Sequence, residues 1–346
     1  MISMNDELYM RRALQLARQG AGHTSPNPMV GAVIVGPDGS IIGEGWHRKC
    51  GEAHAEVNAV ACVGDVNLLK NSTMYVTLEP CSHYGKTPPC ANMIIERGIR
   101  RVVVGCLDPF VKVSGRGVKL LQEAGVEVVV GVLEKECREL NSRFMTAHTT
   151  GRPWVQLKWA QTADGFIALP AAAGENPLHM STPVTMRLMH RQRALCDAIV
   201  VGANTANIDN PSLTTRYWPG RNPLRVVLSR ELSLADDLQL LTDGLPTIVY
   251  NSRKNDVKGA VEWVKVDCDD AMSWLEDLYR RGVTSVMVEG GTQVLNFLIQ
   301  GGLWDEARIE VSPRRVGQGV AAPAVGGCVA SRVMIDGNII TRMLNA

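Results

Sequence analysis

The alternation of short apolar strands with helix-like segments is the feature that most constrains this chain. The stretches TMYVTL (73–78), RVVVGC (101–106) and VEVVVGV (126–132) are separated by sequence of helical character. Such alternation is typical of mostly parallel sheets covered by helices on both faces. A second alternating series begins at WVQLKWA (154–160) and ends at ARIEVS (307–312). The pattern therefore predicts an α/β fold class for both halves.

The length of the chain favours two domains rather than one. Its 346 residues are more than a single compact core usually holds. Between the two alternating series lies HTTGRPW (148–154), whose polar residues, Gly and Pro are typical of a connection. We therefore expect a first domain at 1–147 and a second at 148–346.

Charge and cysteine content limit the possible partners. Lys and Arg total 36 against 35 Asp and Glu, so no global charge favours nucleic acid or an anionic membrane. The charged N-terminus does not resemble a signal peptide, and no apolar run reaches about 18 residues. Nine cysteines, an odd number, suit a reducing compartment, and Cys62, Cys106 and Cys196 lie in stretches that predict buried thiols. We expect a cytoplasmic protein that acts on a small molecule, with no membrane or nucleic-acid partner.

Two short motifs carry the ligands of a metal site. GEAHAEV supplies His54 and Glu56, and PCSHYGKTPPC (80–90) supplies Cys81 and Cys90. An H-x-E motif followed by P-C is the signature of the zinc deaminases. One imidazole and two thiolates suit tetrahedral Zn²⁺ with a fourth position open, which favours catalysis over scaffolding. Glu56 is then the predicted catalytic residue, a proton shuttle between water, ring nitrogen and leaving amine.

Other interpretations of the same thiols stay open at this point. A closed zinc knuckle would need a fourth ligand, for which His47 and His83 are the nearest candidates. The thiols could also be without any metal. A redox pair is disfavoured because the spacing is not Cys-x-x-Cys.

The zinc motifs belong to a longer set that indicates a family. The expanded loop TLEPCSHYGKTPPC, together with SPNPMVGAVIV, GEGWH and GEAHAEV, resembles the bifunctional riboflavin biosynthesis deaminase/reductases, and the resemblance covers nearly the whole chain. It implies a cytidine-deaminase-like three-layer domain followed by a dihydrofolate-reductase-like domain. The implied cofactors are Zn²⁺ and NADPH, and the implied assembly is a homo-oligomer, a dimer or tetramer.

The resemblance also implies two reactions on one phosphorylated pyrimidine. The first is hydrolytic deamination of 2,5-diamino-6-ribosylamino-4(3H)-pyrimidinone 5′-phosphate, and the second is NADPH reduction of the ribosyl group to ribityl. Deaminase substrate contacts are implied at Asn27, His47, His83, Lys86 and Asp108. The residue chemistry agrees, because Asn27 can donate to and accept from a pyrimidine edge and Lys86 can meet a phosphate. One departure is LDPFVKVSGRG, where Phe110 replaces an Asn that the family often places near the substrate.

The second half resembles the family's reductase domain through KWAQTADGFIA (158–168) and VEGGTQVLNFLIQGGLWDE (288–306). The resemblance implies nicotinamide dinucleotide contacts at Ala160, Thr205, Asp209, Ser229 and Gly291, and ribose-phosphate substrate contacts at Arg193, Leu213, Arg216 and Glu289. From the residues alone, the V-E-G-G turn would let backbone N–H groups approach a diphosphate, and Arg193 and Arg216 could bind phosphate bidentately. The family's Trp is missing from GENPLHMST (174–182), where His179 is a candidate replacement.

Two competing functions remain. The missing Trp would permit a deaminase whose C-terminal domain is kept as a binding or oligomerisation module. A nucleic-acid base deaminase would need basic and aromatic residues around PCSHYGKTPPC (80–90), here named the zinc loop. The near-neutral charge and the low aromatic content of 5% argue against that second alternative.

Overall fold

The computed structural model describes residues 4–82, 88–110, 114–169 and 178–345, and the chain divides into two compact units, residues 1–151 and 152–346. The division follows the helix Ser142–Thr150, which ends at Gly151 with a φ of 72°. The boundary expected at 147/148 therefore lies inside a helix. Polar residues continue that helix because the hydroxyls of Thr149 and Thr150 donate to carbonyls of the preceding turn, at 2.9 and 2.7 Å.

The first unit is a mixed sheet between two layers of helices. Its helices are α1 (Met4–Ala17), α2 (Ala55–Ala61), α3 (Cys90–Glu96), α4 (Arg116–Glu123), α5 (Glu134–Leu140) and α6 (Ser142–Thr150), and its strands are β1 (Gly31–Val35), β2 (Ile41–Trp46), β3 (Thr73–Leu78), β4 (Arg101–Cys106) and β5 (Glu127–Val130). The strand order is β2-β1-β3-β4-β5, with β1 antiparallel to both its neighbours and β3, β4 and β5 parallel. The three predicted strands are confirmed as β3, β4 and β5.

Alternate side chains of these strands point into two different cores. Val33 and Val35 pack with residues of α1, α5 and α6, whereas Ala32 and Ile34 pack with residues of α2, α3 and α4. Helix α2 lies directly on β2, since a Cβ added at Gly45 would lie only 2.3 Å from the backbone nitrogen of Ala59. This close contact fixes the start of α2 against the sheet.

The second unit is built on a ten-stranded sheet. Its helices are α7 (Pro183–Leu195), α8 (Ala203–Asp209), α9 (Gln239–Thr242), α10 (Ala271–Arg280) and α11 (Thr292–Gln300), and its strands are β6 (Trp154–Gln161), β7 (Phe166–Ala168), β8 (Ala198–Gly202), β9 (Leu224–Leu228), β10 (Thr247–Asn251), β11 (Asp256–Lys258), β12 (Val261–Lys265), β13 (Ser285–Gly290), β14 (Glu306–Val311), β15 (Val320–Ala321), β16 (Cys328–Ile335) and β17 (Asn338–Leu344). The order is β11-β12-β10-β9-β8-β13-β6-β14-β17-β16, and β15 pairs with β7 separately.

The central strands from β12 to β14 run parallel, and antiparallel strands form both edges. The strands predicted at 154–160 and 307–312 are present as β6 and β14. The sequence patterns did not reveal the hairpin β16–β17, because nearly all of β16 is exposed and so lacks the apolar alternation of a half-buried strand.

Two of the three cysteines predicted to be buried are buried. Cys106 and Cys196 are buried as expected, but Cys62 is exposed because it follows the last turn of α2 rather than lying within an element. Within the described residues, no helix combines the length and apolar character needed to cross a bilayer.

Candidate functional site

Three predicted metal ligands converge at the ends of three elements in the first unit. His54 is the residue that precedes α2, Cys90 begins α3, and Cys81 follows β3 after a short turn. The Nδ1 atom of His54 lies 3.6 Å from Cys81 Sγ and 3.4 Å from Cys90 Sγ. The backbone N–H of Cys90 also donates to Cys81 Sγ at 3.3 Å. Residues far apart in sequence are thus held at contact distance by the sheet and its helices.

The spacing of these atoms fits a tetrahedral zinc site. All three ligand atoms lie within 4.8 Å of one another, and a tetrahedron with Zn–N and Zn–S bonds of ordinary length has ligand separations of roughly 3.3–3.8 Å. Among the residues that the structure describes, no fourth His, Cys or carboxylate ligand joins the group. His47 is bonded elsewhere, and His83 lies outside the described residues. The donor set therefore suits an open, catalytic zinc site.

The electrostatics of the cluster favour a thiolate and a carboxyl group that titrates near neutrality. Hydrogen bonds from Cys90 and His54 lower the pKa of Cys81 to about 4, and the bond to Cys81 raises the pKa of His54 to about 8. Glu56, in the first turn of α2, is only 3% exposed. Burial raises the pKa of Glu56 to about 7, and the negative charge of Cys81 adds to this shift. A group with such a pKa can both accept and return a proton at neutral pH.

A cavity of about 240 Å³ opens beside these residues. Its lining includes His54, Glu56 and Cys81 together with the predicted substrate residues Asn27, His47 and Asp108. Two further predicted contacts, His83 and Lys86, fall outside the described residues. Every predicted deaminase residue that the structure describes, apart from the ligand Cys90, thus lines one pocket.

The hydrogen bond between Asn27 and His47 has a defined donor and a defined acceptor. His47 Nδ1 faces the carbonyl of Ala53 at 3.1 Å, and its Nε2 lies 3.2 Å from Asn27 Nδ2. Burial lowers the pKa of His47, so the ring is neutral at neutral pH. The proton then resides on Nδ1, and Nε2 accepts from Asn27. This arrangement directs the amide nitrogen of Asn27 to His47 and leaves its oxygen as an acceptor for another group.

The residues of this pocket that the sequence patterns missed include three with polar or aromatic side chains, Glu79, Phe144 and His148. The carboxylate of Glu79, only 4% exposed, accepts backbone N–H groups of four residues, Asp108, Gly115, Gly117 and Val118, at 2.9–3.3 Å. These bonds connect the zinc loop to the start of α4. The available signal for Glu79 was its position in LEPC, an acidic residue between a buried strand and a metal ligand.

In the second unit, the predicted cofactor residues gather at one edge of the sheet. Strands β9, β8, β13 and β6 are neighbours and run parallel. Ser229, Thr205, Gly291 and Ala160 lie at or just after the carboxyl ends of these strands in the same order, and Asp209 ends α8. This is the edge at which open parallel sheets bind their ligands.

Local geometry at that edge fits a dinucleotide. Gly291 has a φ of 79°, and a Cβ added at Gly290 would lie 2.9 Å from Thr205 Cγ2, so the turn into α11 is tight and packs against the side chain of Thr205. Two buried hydroxyls there, Ser229 Oγ and Thr292 Oγ1, have no hydrogen-bond partner among the described residues. Unsatisfied polar groups at this edge, Thr292 after the glycine turn and Ser229 after β9, are consistent with a bound polar ligand.

The predicted reductase substrate residues are arranged differently from the sequence expectation. The sequence predicts that the guanidinium group of Arg193 binds phosphate bidentately. In the structure its Nε and Nη2 donate to Glu289 at 2.8 and 2.5 Å, and its Nη1 donates to the carbonyl of Thr214. Both partners of this ion pair are 8% exposed, so Arg193 is committed to orienting Glu289. Leu213 buries its side chain and has a φ of 54°, so only its backbone is available to a ligand. Arg216 is exposed and lies over the ring of Tyr217, which leaves its charge accessible to a phosphate.

Two family models match the sequence. The RibD C-terminal domain matches residues 153–335, and the cytidine and deoxycytidylate deaminase zinc-binding region matches residues 3–106. The riboflavin biosynthesis protein RibD of Aquifex aeolicus is 39% identical over 94% of this chain and 92% of its own length. The chain belongs to the RibD family. RibD of Escherichia coli is 36% identical over 91% of this chain and 89% of its own length.

Solved structures are similar over both units. A diaminohydroxyphosphoribosylaminopyrimidine deaminase/5-amino-6-(5-phosphoribosylamino)uracil reductase from Thermotoga maritima has a TM-score of 0.88 at 37% identity and covers 98% of each chain. RibD of Acinetobacter baumannii has a TM-score of 0.89 at 30% identity, with the same coverage. The expected fold class, a cytidine-deaminase-like unit followed by a dihydrofolate-reductase-like unit, is confirmed.

Proposed function

We propose that this RibD chain performs two consecutive steps of riboflavin biosynthesis on one phosphorylated pyrimidine. The first unit removes the 2-amino group of 2,5-diamino-6-ribosylamino-4(3H)-pyrimidinone 5′-phosphate, and the second reduces the ribosyl group of the product to ribityl. The observation that carries the proposal is the cluster of His54, Cys81 and Cys90 beside the buried Glu56, in a chain whose second unit matches the RibD C-terminal domain.

Deamination requires a proton carrier beside the reacting carbon. Hydrolysis replaces the exocyclic C–N bond by a C–O bond and releases ammonia. Zinc would be held by His54, Cys81 and Cys90 and would supply an activated water at neutral pH. Glu56 takes a first proton from this water and passes it to the ring nitrogen, and then carries the second proton, from the added hydroxyl, to the amine as the C–N bond breaks. Its side chain is buried and lines the same pocket as His54 and Cys81.

The remaining pocket residues orient the substrate. Asn27 presents its side-chain oxygen to an N–H group of the pyrimidine edge, because its nitrogen is bonded to His47. Asp108 lines the same pocket, and its loop is held by Glu79. His83 and Lys86 are proposed to meet the 5′-phosphate, as the resemblance implies.

Reduction depends on the orientation of two ligands at the carboxyl edge of the second sheet. NADPH would supply a hydride to C1′ of the sugar, while the C1′–O4′ ring bond opens and its oxygen takes up a proton from water. Ala160, Thr205, Asp209, Ser229 and Gly291 are proposed to bind the dinucleotide. Glu289, fixed by Arg193, then accepts hydrogen bonds from the ribose hydroxyls, and Arg216 binds the phosphate. Leu213 is proposed as a further substrate contact through its backbone, and His179 as the residue that replaces the missing Trp.

Removal of zinc separates the two activities. The protein with zinc is expected to release ammonia from the diaminopyrimidine without any nicotinamide cofactor. After chelation and removal of the metal, ammonia release should stop and return on addition of Zn²⁺, whereas NADPH oxidation with the deaminated compound should persist. Ammonia release that is unaffected by complete metal removal would contradict the proposed deaminase.

Assembly and location remain predictions from the sequence. We propose a homo-oligomer, a dimer or tetramer, in the cytoplasm. Light scattering coupled to size-exclusion chromatography of the full chain tests the assembly, and a monomer at micromolar concentration would contradict it.

A further inference from the structure

Part of the deaminase pocket is aromatic. Phe110, Phe144 and His148, here named the aromatic wall, all line the cavity that contains Glu56 and the metal ligands. The ring of His148 contacts both phenyl rings, with centroids 4.4 Å from Phe144 and 5.5 Å from Phe110, each at an interplanar angle of 67°. Edge-to-face contacts of this kind hold each ring in a defined orientation.

The wall is anchored from two sides. Phe144 and His148 are four residues apart on α6, so they share one face of the helix, and Phe144 also packs against the buried core below it. Phe110 lies in the loop after β4, where its N–H donates to Asp108 Oδ1 at 2.8 Å and its carbonyl accepts from Ser114 N at 2.9 Å. Both ends of this loop are bonded to Glu79. The position of Phe110 is therefore set by the same carboxylate that adjoins the zinc loop.

The wall offers ring surface rather than charge. Burial lowers the pKa of His148, so its imidazole is uncharged at neutral pH. Phe110 remains 37% exposed, which leaves part of its ring available to a ligand. A flat conjugated ring is the ligand that such a surface binds, because base–aromatic stacking tolerates any substitution pattern on the base.

We propose that the aromatic wall binds the pyrimidine ring of the deaminase substrate, with Phe110 and His148 as the contacting residues and Phe144 as their support. The inference rests on the proposed deaminase function and adds to it a surface that binds the substrate ring. At position 110, where the family often has an Asn, this chain replaces a polar contact with a ring contact.

The test is steady-state deamination by the full-length zinc protein carrying Phe110→Leu or His148→Leu. Each change removes a ring and leaves an apolar side chain in its place. We expect KM for the diaminopyrimidine to rise about tenfold with little change in kcat, because a contact made equally in ground and transition states affects KM alone. Phe110→Tyr and His148→Phe, which restore a ring, should recover most of the loss. Leu68→Ala, at an exposed apolar residue away from the pocket, is the matched control.

The outcomes separate the two levels of the proposal. If the unmodified protein releases no ammonia, the proposed deaminase itself fails. If it is active but both Leu variants keep its KM, only the aromatic wall is overturned. An equal rise of KM in the Leu variants and in the ring-restoring variants also overturns it, since the effect would then come from shape. Zinc content and NADPH oxidation with the deaminated compound must match the unmodified protein; where one Leu variant fails this check, the other decides.

Discussion

At the scale of single residues, Glu56 shows how position determines chemistry. It lies two residues after a metal ligand, in the first turn of a helix that rests on the sheet, and it is almost completely buried. Desolvation disfavours its charged form, so its pKa rises to about 7 rather than staying near that of an exposed carboxyl. Glu52, four residues earlier and before α2, is exposed to solvent.

Replacing Glu56 should remove proton transfer and leave the metal in place. Gln has the same shape but cannot accept the proton, so Glu56→Gln should retain zinc while ammonia release falls by at least about a hundredfold. Metal analysis and an ammonia assay on the same sample measure both quantities, with Glu52→Gln as control. Deamination at the unmodified rate by Glu56→Gln would refute its role as proton carrier.

A second residue-scale prediction concerns His190 in α7. Burial lowers the pKa of His190 to about 4, and the positive charge of Arg193 adds to this; its Nδ1 has no partner among the described residues. An unfolded chain protonates this side chain at a pH of about 6.5. Between those two values the unfolded state holds more protons, so the free energy of unfolding decreases as the pH falls from 6.5 towards 4.

The variant His190→Gln should flatten this pH dependence. We expect the unmodified protein to lose about 1–3 kcal/mol more than the variant between pH 7 and pH 4.5. Urea denaturation of both proteins at the two pH values measures the difference, and His179→Gln, at an exposed histidine of the same unit, serves as control. Parallel losses in the unmodified protein and in His190→Gln would show that His190 is not the titrating group.

The sequence identified site residues that lie within short motifs, and it did not reveal contacts between residues far apart in the chain. His54, Glu56 and Cys81 stand beside the ends of elements within short motifs, so their spacing alone predicted a common site. The contact of Arg193 with Glu289 joins residues 96 positions apart. Periodicity contains no information about such pairs. The sequence therefore predicted a phosphate contact for the guanidinium of Arg193, which forms an internal ion pair in the structure.

At the scale of elements, the loop between β4 and α4 is held by one buried side chain. The carboxylate of Glu79 accepts hydrogen bonds from backbone N–H groups at both ends of the loop. These bonds satisfy all four of the N–H groups. The loop contains Asp108 and Phe110, so its geometry shapes the pocket.

The substitution Glu79→Gln should loosen this loop. One carboxylate oxygen becomes an NH₂ group that faces N–H donors, and the loss of charged hydrogen bonds should lower the free energy of unfolding by about 1–3 kcal/mol. The KM for deamination should rise, while NADPH oxidation with the deaminated compound stays unchanged. Glu123→Gln, at an exposed position on α4, is the control for denaturation and kinetics. Equal stability and equal KM in Glu79→Gln and Glu123→Gln would contradict the anchoring role.

Prediction of the elements succeeded wherever strands are buried. The strands β3 and β4 carry apolar side chains into two cores, so their sequences are nearly continuous apolar runs and their bounds were predicted without error. The hairpin β16–β17 is bound mainly by backbone pairing at an edge, with β16 exposed along its length. Backbone hydrogen bonds leave little trace in a sequence, which is why this hairpin was not predicted.

At the scale of the whole molecule, two units of one chain perform successive reactions. The first unit creates the substrate of the second, and each unit has its own core, its own sheet and its own ligand set. The order of the reactions follows from the substrates rather than from any contact between the units. It can therefore be tested by blocking the first reaction alone.

The most direct measurement is NADPH oxidation by the unmodified protein and by Glu56→Gln, each given either the diaminopyrimidine or its deaminated product. The unmodified protein should oxidise NADPH with both compounds, and with the diaminopyrimidine only after ammonia has been released. Glu56→Gln should oxidise NADPH with the deaminated compound alone. Ammonia release without NADPH oxidation by the unmodified protein would contradict the bifunctional account and favour a C-terminal domain that only binds or oligomerises. Oxidation of NADPH by Glu56→Gln with the diaminopyrimidine would contradict the proposed order of the two reactions.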